Sequence, residues 1–133
     1  MGEQLPLTTA MASACAATGN RDSEGNQVFD RTAIALRDAL KQIGQATQQA
    51  WAGAEPAQAL ANAVPYLQAF GHTVIAWIWL DVVQSAQGDA PAAVGRRAAA
   101  RYFFRYELPK IGAWLQVVAQ RDPTCAEVPE DAF

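Results

Sequence analysis

From Tyr66 to Ala86 the chain is apolar in almost every direction around a helix, and no other stretch constrains the fold as much. Leu67, Phe70, Val74, Ile78 and Val82 recur at 3, 4, 4 and 4, which is one stripe of an α-helix. Ile75, Trp77, Trp79 and Val83 fill other directions. A helix apolar nearly all round is central to a bundle or faces a partner. Trp77, Trp79, Ile75 and Val83 are therefore the candidate interface.

The neighbouring segments repeat the helical period. Asp30 has the chemistry of an N-cap, because its carboxylate can accept an orphan amide hydrogen bond. Phe29 and Ile34 around it have the spacing of a hydrophobic staple. Leu36, Leu40, Ile43, Thr47 and Trp51 then recur at 4, 3, 4 and 4, and Gly53 closes the helix. A second helical region opens near Pro56 and is predicted to break or kink at Pro65, which lacks an amide hydrogen. Gln87 to Ala90, with Gly88, reads as a turn. The third long helix takes Pro91 in its first turn. Ala100, Phe104, Leu108, Ile111, Leu115 and Val118 form its stripe, which stays in phase through Pro109. A kink near 105–109 is expected there, not a stop.

No alternation, hairpin dipeptide or internal repeat competes with helix. The expectation is an all-α antiparallel bundle of three long helices, kinked at prolines. Residues 30–120 form the bundle. Residues 1–29 are a partly flexible N-terminal segment: Thr8 to Thr18 is alanine-rich and offers a short fourth helix, and Gly19 to Gln27 reads as a loop. Residues 121–133, with two prolines and four acids, read as a non-helical tail. A chain of 133 residues that is 51% hydrophobic can bury one core, although much of the apolar share is alanine.

Charge and cysteine usage narrow the function. The net charge is −3 and no basic stretch is dense enough to neutralise a row of phosphates, which argues against nucleic acid. Arg97, Arg101 and Arg105 share a helix face at i, i+4 and i+8 and are the candidate anion or partner contact, against the plainer reading of a solvated edge. Cys15 and Cys125 make neither a disulfide framework nor a metal site and fit a reduced, cytoplasmic setting. Val74 to Leu80 is too short to span a bilayer, and Met1 to Thr9 does not read as a secretory signal.

The catalytic inventory is thin. His72 is the single histidine, so a multi-His metal site is excluded. It reads as a packed or capping residue more readily than a ligand contact. A stand-alone enzyme would need a constellation around it that the sequence does not provide. Asp38, Glu55, Asp81, Asp89 and Glu107 are scattered, Asp81 reads as a helix edge, and Glu107 is expected to pair with a nearby arginine. No phosphate-cradling glycine motif occurs. Catalytic, cofactor-binding and metal residues are therefore assigned to none of the positions.

Two segments carry a resemblance. Tyr66-Leu67-Gln68-Ala69-Phe70-Gly71-His72-Thr73-Val74-Ile75-Ala76-Trp77 resembles a helix of the C-terminal domain of certain acyl-CoA dehydrogenases. Ala99-Ala100-Arg101-Tyr102-Phe103-Phe104-Arg105-Tyr106-Glu107-Leu108-Pro109 resembles the segment that follows in the same domain, in the branch that includes 3-methylmercaptopropionyl-CoA dehydrogenase-like proteins. Gly2-Glu3-Gln4-Leu5-Pro6 is weakly similar to the stretch after the flavin-side motif, which would start the chain where a catalytic core ends.

The resemblance implies a parent oxidoreductase that uses FAD to oxidise an acyl-CoA in fatty acid metabolism. The tyrosine-glutamate-glycine-threonine motif of the core is missing from this sequence, so no family catalytic residue carries over. What carries over is a packing and subunit-assembly role, with the catalytic core or a second copy as partner. The alternative is an independent bundle that holds an apolar ligand or partner helix between its Trp-bearing helices.

Overall fold

The computed structural model describes residues 23–133, with side chains from Gln27 onward. Helix α1 spans Ser23–Trp51, and Gly53 follows it at φ +62°. The short helix α2, Pro56–Leu60, opens on its proline. A break at Ala61 and Asn62 separates it from α3, Ala63–Ser85, as Pro65 requires. The turn at Gly88, φ +77°, leads to α4, Pro91–Tyr102. A π turn, Phe103–Glu107, and a 3₁₀ turn, Leu108–Lys110, carry the chain into α5, Ile111–Gln120.

The expected kink therefore has a defined form. Pro109 has no amide to donate, and its ring crowds the carbonyl four residues back. The backbone widens instead, and the Leu108 amide donates to the Phe103 carbonyl five residues back. Because the helix resumes at once, Leu108, Ile111, Leu115 and Val118 stay buried in one line with Ala100.

Three cross-links fix the topology. Asn62 Nδ2 donates to Asp122 O at 3.0 Å, the His72 ring stands 4.8 Å from that of Trp114, and Arg97 Nη1 donates to Ala86 O at 2.7 Å. Position rises along α3 as it falls along 91–122, so these two run antiparallel. Arg121 Nη1 donates to Ala52 O at 3.1 Å, and Gly112 faces Gln42. The chain separation is nearly constant in both pairs, so α1 and α5 run parallel. The architecture is an all-α bundle in which α1, α3 and α5 pack on one another and α4 packs chiefly on α3.

Several expectations are corrected. Helix α1 begins at Ser23, so residues 23–27 are not loop and Asp30 caps nothing. Thr32 Oγ1 lies 2.8 Å from Phe29 O and 3.0 Å from Val28 O, which already places both carbonyls in a helical turn. Phe29 is buried and Ile34 exposed, so no staple forms. Burial of Phe29 holds this turn in the helix, outweighing the local cap signal. Trp51, placed on the inner stripe by spacing, is exposed. The tail is not wholly irregular: Pro123 and Pro129 start two short turns, α6 at Thr124–Glu127 and a 3₁₀ turn at Glu130–Ala132. The short helix expected over Thr8 to Thr18 and residue Cys15 lie outside the described residues.

The largest correction concerns α3. Its buried side is Ala69, Thr73, Ala76, Leu80 and Val83, mostly small residues. Of the expected stripe, Leu67 and Ile78 are turned outward, Val74 and Val82 are half-buried, and Phe70 packs against the core from the side. Alanine faces let helix axes approach closely, and α1 likewise contributes Ala39, Ala46 and Ala50 to the shared core.

Candidate functional site

Two surfaces and one polar cluster stand out. The first surface is the outward face of α3. Val64, Leu67, Ile75 and Ile78 are 67%, 65%, 42% and 54% exposed. Helical spacing sets Gly71, Val74 and Val82 on the same face. A Cβ added at Gly71 would meet no heavy atom within 4 Å, so the glycine leaves a dent in the middle of an apolar strip.

The candidate interface residues are thus divided. Ile75 belongs to this outward face. Trp77 and Trp79 are half-buried and pack against the core. Val83 is 1% exposed and lies inside the bundle, so it is withdrawn from the interface. Spacing alone missed Val64, Leu67 and Ile78. The signal that finds them is the alanine and threonine line at 69, 73 and 76 on the opposite side.

The second surface is the outer side of α4 and the π turn. Tyr102 and Tyr106 are exposed, and their rings stack with centroids 4.9 Å apart and planes at 25°. Arg101 and Arg105 lie beside them, exposed. Arg97 does not join this edge. Its Nη1 donates to Ala86 O at 2.7 Å and to Gly88 O at 2.8 Å, which closes the C-terminal end of α3. Its guanidinium is committed within the chain, so it is removed from the candidate anion contacts.

The polar cluster joins α3 to the π turn. His72 Nδ1 stands 3.2 Å from Gln68 O, which can only accept, so Nδ1 carries the proton of that bond. Nε2 faces Glu107 Oε2 at 3.6 Å, and the ring packs edge-on to Trp114 and against Phe103. Lys110 Nζ donates to the same Oε2 at 2.7 Å. This hydrogen bond, aided by the charges of Lys110 and His72 against some desolvation, holds the Glu107 carboxyl below its usual value. Glu107 thus pairs with Lys110 and His72, not with the expected arginine. Asp81, read as a helix edge, is exposed.

Among the described residues no group of three His, Cys, Asp or Glu is placed to hold a metal, and Cys125 is exposed. A cleft of about 500 Å³ opens between α2 and the tail, lined by Ala57, Gln58, Ala61, Gln120, Pro123 and Ala126 with Arg121. It offers no aromatic face for an isoalloxazine, and its one guanidinium already serves Ala52. These residues do not fit the FAD that the resemblance implies for a parent enzyme.

The family described as acetyl-CoA dehydrogenase C-terminal like matches residues 7–129. No curated protein and no solved structure matches the chain. No helix among the described residues is long and apolar enough to cross a membrane.

Proposed function

The chain belongs to the acetyl-CoA dehydrogenase C-terminal-like family, the C-terminal domain of acyl-CoA dehydrogenase-like proteins, and on that footing we propose that it is a non-catalytic domain that docks on the catalytic core through the outward face of α3. On this reading the core holds the FAD and the acyl-CoA in a cytoplasmic flavoenzyme, and this bundle supplies packing and subunit assembly.

One observation carries the reading: the bulky aliphatic line of α3 faces away from the bundle it belongs to. Val64, Leu67, Ile75 and Ile78 expose apolar surface on the order of 400 Å², within the range of patches that are often functional. That is about half of one side of a standard interface, so Val74, Val82 and a polar rim complete the contact. A pocket between Trp-bearing helices has less support, because Trp77, Trp79 and Trp114 all pack against the core.

The test mixes the chain with a flavin-containing core of the same family that lacks its own C-terminal domain, and follows complex formation by analytical ultracentrifugation. The reading expects a stoichiometric complex that Leu67→Glu and Ile78→Glu abolish while leaving helicity unchanged. Failure of the unsubstituted chain to bind, or binding indifferent to both substitutions, overturns it.

A further inference from the structure

Charge is segregated along this chain. Five of its ten cations, Arg96, Arg97, Arg101, Arg105 and Lys110, fall within 96–110 beside one carboxylate, Glu107. That carboxylate is held by Lys110 and His72. Over 122–131 the pattern inverts: Asp122, Glu127, Glu130 and Asp131 occur with no cation.

The π turn shapes the basic side. Residues four apart on an ideal α-helix diverge by about 40°. The wider turn at Phe103–Glu107 lets Tyr102 and Tyr106 line up and stack, each more than half exposed. Among the described residues neither the Arg101 nor the Arg105 side chain has a hydrogen bond or ion pair. Exposed Tyr and Arg side by side is the composition found at the energetic centres of protein interfaces.

The acidic side is equally open. Glu127, Glu130 and Asp131 are exposed, as are Val128 and Phe133. The chain's own tail is kept from the basic face. Asn62 pins Asp122 at the far end of the bundle, and Ala126 turns back into the cleft beside Ala57 and Gln58. From Arg105 to Asp122 the helix covers about 25 Å.

We propose that two copies of this chain pair reciprocally, the acidic tail of each lying across the Arg101, Tyr102, Arg105, Tyr106 face of the other. The carboxylates of Glu127, Glu130 and Asp131 meet the free guanidinium groups, and Val128 and Phe133 meet the stacked phenol rings. Because each copy gives a tail and receives one, the contact closes on itself as a twofold dimer. It is independent of the α3 face.

Sedimentation equilibrium of the full chain at low ionic strength tests this. The expected result is a dimer that added salt weakens. The patch-reversed variant, Arg101→Glu with Arg105→Glu, and the tail-reversed variant, Glu130→Lys with Asp131→Lys, each raise Kd roughly tenfold or more. Mixing the two variants restores a dimer containing one of each, since both of its contacts then join opposite charges. That rescue also excludes misfolding as the cause of the single losses. A monomer at every concentration, a dimer indifferent to both reversals, no rescue on mixing, or a dimer removed by Leu67→Glu overturns the proposal.

Discussion

Leu67 and Ala69 stand two residues apart on α3, and it is the alanine that is buried: Ala69 is 0% exposed and Leu67 65%. From Ala69 to Ala76 the helix meets its own bundle with small side chains, while Leu67, Ile75 and Ile78 turn outward; Leu80 and Val83 fill the core nearer its C-terminal end. The first expectation follows directly. Ala69→Leu overpacks a filled interface and costs about 1–3 kcal/mol. Leu67→Ser changes the stability of the isolated chain by no more than about 0.5 kcal/mol. Urea unfolding of both variants checks the contrast.

Asn62 closes the open end of the bundle. It is buried, and its amide satisfies the Asp122 carbonyl just beyond Arg121, which adopts a left-handed conformation at φ 53°. Asn62→Ala should cost about 1–2 kcal/mol, a fall in Tm of roughly 3–8 °C for a domain of this size. A thermal melt by circular dichroism measures it.

Arg97 and Arg101 lie one turn apart and are expected to behave differently. Arg97→Ala removes both bonds to the Ala86 and Gly88 carbonyls and should destabilise by about 1–2 kcal/mol. Arg101→Ala should stay within about 0.5 kcal/mol. Equal effects in denaturant titration would mean that the turn does not depend on the Arg97 cap.

Glu107 gives a pH dependence with a definite sign. Its folded pKa lies below the usual 4.5, first because Lys110 donates to it. Its stabilising contribution is therefore present above 4.5 and fades as pH falls through the lower folded value. Glu107→Gln should lower Tm at pH about 6, and the difference from the unsubstituted chain should narrow as pH falls below 4.5. A gap that stays constant across the titration would assign the loss to shape, not charge.

How much of this was legible depended on the range of the interaction that decides each feature. Gly53, Gly88, Pro56, Pro65, Pro91 and Pro109 act through their own backbone, and each marks the turn, start or kink that spacing predicts. The line from Ala100 to Val118 was legible because its large residues all face one way. The buried side of α3 was not, because a periodicity weighted toward large residues selects Leu67 and Ile78 over Ala69 and Ala76. The start of α1 was missed for a related reason: the Asp30 signal is local, whereas burial of Phe29 is a tertiary fact. Within the site, Ile75 is exposed as an interface residue must be, Val83 is buried, and the capping role of Arg97 was missed because its guanidinium reaches back across the Gly88 turn to carbonyls nine and eleven residues earlier, a contact outside the helical period.

The outward face of α3 is the central claim, and Gly71 is its most direct probe. Glycine within a helix costs roughly 0.5–1 kcal/mol relative to alanine, and open space surrounds the missing Cβ. Gly71→Leu should therefore fold at least as stably as the parent while filling the dent on the docking face. Binding of this variant to the flavin-containing core, measured by calorimetry beside its thermal melt, separates the two roles. The account predicts unchanged or raised Tm with binding lost. Undiminished binding at equal or higher Tm would contradict it.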